Sequence, residues 1–439
     1  MQTQVETSNP LERSLEFSIS RDKVQAEVDD RLKRLAPKVR VQGFRPGKVP
    51  LKIVAQQHGL QIHQEVLGEM LQKAFSEAVK KEGFQVAGTP NFEAKNFAEN
   101  GADYEFSVNF EVYPDFELGD FSAITVNKPV LQIGEAEVQK TVDLLRKQRA
   151  SFETVDRPAQ LGDRVNIDYR GQLDGQDFAG GQADDYSVVL GEGNLLKDFE
   201  TPVVGMSAGQ EKTFDMTFPA DYPGKEVAGK TVSFTVKLNR VDAPKLPDID
   251  SDFAKLLGVP DGDVTKMQEE IRANLQREAG QRVHAKVKEQ IMQALLDRIS
   301  IQAPQALIQQ EIDRLIEEIR DAQAARGLRN KELDIPREAF QEKAERRVKL
   351  GLILGKLIKT HELSAKPEQV RRFVEEYAQS YENPQEVVKW HYASPDRLRD
   401  IEPIVLEDNV VSWILERANI VDQSITFEEL MGHPYAANV

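Results

Sequence analysis

The chain has 439 residues, with 73 acidic against 57 basic side chains and a formal net charge of -16. Single cores rarely grow past ~250–300 residues, so about three domains are expected. Cysteine is absent, which excludes disulfides, thiol nucleophiles and thiolate metal sites. The most apolar run, residues 350–358, contains Lys356 and falls far short of the ~20 residues a membrane-spanning helix needs.

Residues 1–6 carry no basic segment followed by an apolar one, so no secretory signal is expected and the cytoplasm is the expected compartment. Leu15, Phe17 and Ile19 alternate with Glu16 and Ser18, which predicts a strand with one wet face. Val24, Val28, Leu32, Leu35 and Val39 then follow helical spacing, with Ser20 as N-cap and Pro37 as a kink or stop. Between Asp30 and Glu65 there is no acidic residue, yet the stretch holds Arg31, Lys33, Arg34, Lys38, Arg40, Arg45, Lys48 and Lys52. Within it, Gly43-Phe44-Arg45-Pro46-Gly47-Lys48-Val49-Pro50 reads as a loop tip that displays one aromatic and two cations. Such a loop on an acidic protein suits docking on phosphate while the remaining surface is repelled by nucleic acid. Charge runs also commonly decorate solvated helices, and composition leaves both readings open.

Pro50 suits the start of a second helix, carried by Ile62, Val66, Met70 and Phe75 and ending near Gly83. Tyr104, Phe106, Val108, Phe110 and Val112 alternate with polar residues as a strand that closes at Pro114. Residues 1–113 are therefore expected to form an α+β domain. Residues 114–149 read as a linker, with an extended piece over 125–130 and a helix that keeps Val138, Val142 and Leu145 on one face.

From Arg157 the character changes to short strands. Val165, Ile167 and Tyr169 alternate, Asp174-Gly175 signals a tight hairpin, and Val232, Phe234, Val236 and Leu238 alternate before Pro244. Residues 150–244 are expected to be a compact, mainly antiparallel β domain with a short helix. Beyond residue 245 helical stripes take over. Val283, Val287, Ile291 and Leu295 form one, Ile308, Ile312, Leu315 and Ile319 another, with further helices near Pro336 and over 369–381. The fold class expected is thus multidomain α+β, with an all-α region over 245–439.

The six histidines show no metal-ligand spacing, Gly191-Glu192-Gly193 lacks the third glycine of a dinucleotide fingerprint, and no P-loop occurs. Neither a metal nor a cofactor is expected. The β domain concentrates Tyr169, Phe178, Tyr186, Phe199, Phe214, Phe218, Tyr222 and Phe234, residues that suit a core as well as a pocket.

The run from Val165 to Gly171, then Asp174-Gly175, Phe178, Leu190 to Leu196 and Phe199, resembles an FKBP-type prolyl isomerase domain. The resemblance implies that Tyr169, Phe178, Tyr186, Leu195, Leu196, Phe199, Tyr222 and Phe234 form an apolar prolyl pocket. Two positions depart from the family pattern and bear on pocket shape and rate: Ala179, where many members carry aspartate, and Asp198, where a glycine normally precedes the pocket-floor aromatic.

The octapeptide Gly43 to Pro50, in a chain ordered as basic α+β domain, linker, FKBP-like domain and helical region, resembles the trigger factor family of bacterial chaperones over essentially its whole length. That resemblance implies docking beside the exit tunnel of the large ribosomal subunit, on protein and rRNA, through Gly43, Phe44, Arg45, Gly47 and Lys48. Some members have lysine where this chain has Pro46, so Lys48 or Arg40 gains weight. It also implies ATP-independent shielding of nascent and unfolded polypeptides by helical arms, prolyl isomerase activity, no membrane partner, and admits a homodimer off the ribosome. A free cytoplasmic prolyl isomerase and an RNA-binding ribosome assembly factor are the alternatives.

Overall fold

The computed structural model describes residues 9–39, 44, 49–96, 103–193, 195–325, 335–379, 381 and 383–432. The chain separates into two compact units: residues 1–125 with 290–419, and residues 126–289 with 420–439.

The first unit opens with β1 (Glu12–Ser20), α1 (Arg21–Leu35), α2 (Leu51–Glu82), β2 (Val86–Asn96) and β3 (Asp103–Val112). The strands form an antiparallel sheet in the order β1-β3-β2. Its register sets Leu15 opposite Val108, Phe17 opposite Phe106 and Ile19 opposite Tyr104, so the apolar residues of both strands share a face. Against that face α1 lays Val24, Val28 and Leu32, and α2 lays Val54, Ile62, Val66, Leu71, Phe75 and Ala78. The Phe75 ring stands edge-on to Phe110 at 5.1 Å and to Phe17 at 6.4 Å, a favoured aromatic geometry. α1 stops at Leu35, ahead of Pro37, whose ring and missing N–H would break it. Ser20 occupies the N-cap position, but its side chain makes no capping bond. α2 ends at Gly83, whose φ of 71° is the left-handed cap that glycine adopts without strain.

The next elements are β4 (Thr125–Val130), α3 (Glu135–Gln148), β5 (Ser151–Thr154), β6 (Arg164–Leu173), β7 (Gln176–Val189), α4 (Lys197–Val203), β8 (Glu211–Thr217), β9 (Thr231–Lys245), α5 (Ser251–Leu256) and α6 (Val264–Arg298). The amphipathic face read from Val138, Val142 and Leu145 is used within the second unit. Val138 and Val142 are buried with Phe253, Met267, Ile271 and Leu275 of α5 and α6, and Leu145 packs alongside. β5 to β9 form one antiparallel sheet in the order β5-β9-β6-β7, with β8 also on β9. The β6–β7 hairpin turns at Asp174 and Gly175, with φ of 52° and 79°, the doubly positive turn that suits strand twist. Phe199 and Val203 of α4 close one side of the core formed by Val165, Ile167, Val236 and Leu238.

The chain continues through α7 (Gln305–Ala325), a 3-10 turn at Arg337–Phe340, α8 (Gln341–His361), α9 (Pro367–Ala378), α10 (Pro384–Tyr392), α11 (Pro395–Arg399) and α12 (Glu402–Leu415). Proline begins α9, α10 and α11, where its missing N–H costs no helical bond. α7 and α8 share a core of Ile308, Ile312, Leu315, Ile316 and Ala344. Val370 and Val374 of α9 pack with Val405 of α12. β10 (Asn419–Ser424) and α13 (Phe427–Met431) follow, and β10 pairs with β4. This strand stands among helices and is exposed along its length.

Candidate functional site

The aromatic residues of the β domain converge on Phe234 of β9. Phe199 of α4 meets it edge-on at 5.1 Å, Tyr169 of β6 at 6.3 Å, Phe178 of β7 edge-on at 6.4 Å and Phe218 at 6.3 Å. Phe199 also touches Tyr169 at 5.7 Å and Phe214 of β8 at 5.6 Å. Tyr186 joins through Tyr169 at 5.9 Å, and Tyr222 through Phe218 at 4.6 Å. Phe199 and Phe234 are only 5% and 4% exposed, whereas Tyr186 and Tyr222 are 37% and 38% exposed. The first pair is thus part of the core, while the two tyrosines are partly open to solvent. Leu195 and Leu196 lie half-buried against the domain's hydrophobic core, which includes Phe199 and Phe234. All eight residues expected to line the pocket therefore belong to one continuous cluster, and Phe214 and Phe218, not among those eight, are part of it.

Two glycines shape this cluster. A Cβ on Gly171 would stand 2.6 Å from the Phe234 ring and 3.0 Å from Phe178, and one on Gly181 would stand 2.7 Å from the Phe178 ring. The paired Gly180-Gly181 marks this close approach in the sequence. Asp198 is exposed in the first turn of α4, where a carboxylate complements the helix dipole. The side chain of Ala179 is not among those described.

The strand that presents Tyr186 is irregular. Ile167 pairs with Tyr186 but Tyr169 pairs with Ala183, so Asp184 and Asp185 of β7 oppose Asp168 alone, which is a β-bulge. Asp185 takes a φ of 56°, costly for a residue with a side chain unless its neighbours hold it there. Its N–H donates to Asp168 Oδ1 at 2.8 Å, and that oxygen also accepts from Asn239 Nδ2 at 2.8 Å. These two donors hold the Asp168 carboxyl below the usual aspartate range. Burial, with Tyr186 second, pushes the Tyr169 phenol up.

Asp163 and Asp242 of the β domain are buried carboxylates. Asp163 takes both Arg157 nitrogens at 2.6 and 2.9 Å and the Gln160 N–H at 2.9 Å. Burial alone would raise the Asp242 carboxyl, yet Thr154 Oγ1 at 2.8 Å, Arg164 and Arg240 outweigh it and hold the group below its usual range. Both carboxylates are thus paired, as buried charges must be.

Rotation about an X–Pro amide must give up resonance against a barrier of ~18–20 kcal/mol. A pocket walled by aromatic rings favours the twisted, less polar amide over the planar one, without any nucleophile. The cluster around Phe234 supplies such walls.

In the first unit, the cations of the basic stretch divide by partner. Arg31 is paired with Glu69 and Glu27, and Arg34 with Asp30. Lys33, Lys38 and Lys52 are exposed. Phe44 is 41% exposed. Gly43, Arg45, Pro46, Gly47, Lys48 and Arg40 lie outside the described residues. Further along the same unit, Tyr377, Tyr381, Trp390 and Tyr392 on and beside α9 and α10 are 44–55% exposed. The guanidinium of Arg397 lies 3.9 Å from the Trp390 ring, a cation–π contact. A cavity of about 670 Å³ is lined by Phe116, Phe121, Lys356, His361, Trp413 and Arg417, among others.

Residues 1–145 match the family model of the bacterial trigger factor protein, residues 155–239 that of the FKBP-type peptidyl-prolyl cis-trans isomerase, and residues 263–416 that of the bacterial trigger factor C-terminus. The chain is 67% identical over 440 residues to the trigger factor of Nitrosomonas europaea, with 100% of each chain covered. It is 65% identical over 438 residues to that of Nitrosomonas eutropha, again with 100% of each covered. Against that of Nitrosospira multiformis the identity is 56% over 433 residues, covering 98% of this chain and 100% of the relative.

Proposed function

The chain belongs to the trigger factor family and is a molecular chaperone with an FKBP-type peptidyl-prolyl isomerase domain, and from that premise we propose how its parts divide the work. Residues 1–113 dock on the large ribosomal subunit beside the exit tunnel, through Gly43, Phe44, Arg45, Gly47 and Lys48. Residues 114–149 link this domain to the isomerase domain at 150–244, and residues 245–439 hold the client. The protein works in the cytoplasm and shields nascent chains without ATP.

The observation that carries the docking role is the exposed Phe44 ring in a segment that holds eight cations and no carboxylate between Asp30 and Glu65. With Arg31 and Arg34 committed to internal ion pairs, the remaining cations fall to a small composite contact of ring and charge. Such a contact on an acidic protein favours a protein–RNA edge over naked RNA, because the net charge of -16 opposes wide phosphate contact. The isomerase role rests on the aromatic cluster around Phe234. Client holding is supported by the exposed rings at Tyr377, Tyr381, Trp390 and Tyr392, a small exposed aromatic patch of the kind that binds unfolded segments weakly and lets them go.

The test is co-sedimentation with vacant ribosomes across a salt series, for the wild type and for Phe44→Ala with Arg45→Ala. Salt-sensitive binding by the wild type and loss in the double variant is expected. Equal binding by both would remove the docking assignment and leave a free isomerase-chaperone.

A further inference from the structure

β6 is flanked by a bulge on each side, opposite Asp168 on one and between Asn166 and Ile167 on the other. On β7 the extra residue is Asp185, and on β9, where Asn166 pairs with Arg240 but Ile167 pairs with Leu238, it is Asn239. Two side chains of β6 join these extra residues in a closed ring. Asp185 N–H donates to Asp168 Oδ1 at 2.8 Å, Asn166 Nδ2 donates to Asp185 Oδ1 at 2.8 Å, and Asn239 Nδ2 donates to Asn166 Oδ1 at 3.2 Å and to Asp168 Oδ1 at 2.8 Å. Asn166 Nδ2 also donates to Ser187 Oγ at 3.0 Å, so the residues before and after Tyr186 are both tied to β6.

This arrangement stores two unfavourable features: a left-handed φ at a residue with a Cβ, and two interruptions of a three-stranded ladder side by side. Such irregularities persist when surrounding bonds determine them, and they act to re-aim a side chain. The side chains re-aimed here are in view. Asp185 immediately precedes Tyr186, Asp168 immediately precedes Tyr169, and the two tyrosine rings meet edge-on at 5.9 Å. Tyr186 is 37% exposed, so little packing fixes its position from outside. The bonds behind it do.

We propose that Asp168 and Asn166 are positioning residues for prolyl isomerisation, holding the Asp185 bulge so that Tyr186 stands as a fixed wall beside Tyr169. This rests on the reading of Tyr186 as part of the prolyl pocket. The role is geometric rather than electrostatic: both bonds to Asp168 converge on one oxygen, which an asparagine also possesses.

The experiment measures kcat and KM of the full-length chain on a short peptide with one X–Pro bond, for Asp168→Ala, Asp168→Asn, Tyr186→Ala and the Asp168→Ala/Tyr186→Ala pair, with thermal unfolding in parallel. Asp168→Ala is expected to lose about tenfold in kcat/KM, as a misplaced wall would cause. Asp168→Asn is expected to retain wild-type activity, and the pair to lose no more than Tyr186→Ala alone, because Asp168 acts through that ring. If Tyr186→Ala loses activity while Asp168→Ala loses none, or the two losses multiply in the pair, the positioning role is overturned and the pocket stands. A loss in Asp168→Asn as large as in Asp168→Ala overturns it too. A Tyr186→Ala chain as active as the wild type overturns the pocket reading of Tyr186 and this inference with it.

Discussion

Around Phe234, five aromatic rings stand within 6.4 Å and belong to β6, β7, β8, α4 and the segment after β8. Around Phe44, no such wall is described; the ring is 41% exposed in a stretch marked by charge. One region is marked by the shape of packed side chains, the proposed docking segment by an exposed ring in a sequence rich in cations. The difference sets how each can be altered. A change at Phe199 or Phe234 is also a change in the core, whereas a change at the exposed Phe44 ring is not.

The largest effect expected comes from Phe199→Ala. It removes a ring that is 5% exposed and touches Tyr169, Phe214 and Phe234, and should cost about 3–5 kcal/mol in denaturant unfolding. It should abolish peptide isomerisation while ribosome co-sedimentation persists. Ribosome binding lost together with isomerisation would break the contrast. Phe44→Ala with Arg45→Ala should do the reverse, weakening ribosome binding by about a hundredfold with no change in unfolding or peptide isomerisation. Gly171→Ala sharpens the pocket side of the comparison, because the new Cβ meets the buried Phe234 ring at 2.6 Å. Overpacking of this kind costs about 1–3 kcal/mol, and the measured kcat/KM should fall with stability.

A smaller effect separates the two regions by pH. The folded state holds Asp242 below its ordinary value. Its contribution is therefore complete above the unfolded aspartate value and is lost as pH falls through the folded one. Acid unfolding followed by a probe in the β domain should shift to higher pH in Asp242→Asn, with the docking domain unmoved. Smallest of all is Arg31→Ala, which breaks an exposed pair with Glu69. Exposed pairs contribute little, so the melting temperature should stay within error. A clear fall in it would mean that charge on this side is structural after all.

Much of this was legible because local signals were strong. The alternation at Leu15, Phe17 and Ile19 and at Tyr104 to Val112 gave β1 and β3, Gly83 gave the end of α2, and Asp174-Gly175 gave the hairpin. β2 was not legible, because Gly88 and Pro90 interrupt it and most of it is exposed. β10 was not legible either, since no residue in it is buried and its partner β4 lies some 290 residues earlier. The residues expected to line a pocket came from a resemblance, and their rings lie in contact with one another around Phe234. Phe214 and Phe218 were noticed as aromatics without a place in the pocket, since sequence spacing does not say which rings meet. The bonded ring at Asp168 had no signature, for it depends on two bulges that align only once three strands are paired.

The interleaving of the two units has a consequence for the order in which the molecule is made. The β domain, from β5 to β9, is continuous from residue 151 to 245, and its sheet can close as soon as that stretch is released. The unit that begins with residues 1–125 draws its other half from residues 290–419. At ~5–20 residues per second of synthesis, that half starts to arrive roughly 8–30 seconds after the first is complete. Through that interval the earliest part of the chain to be made has only its own sheet and two helices, and the core they share, to rely on.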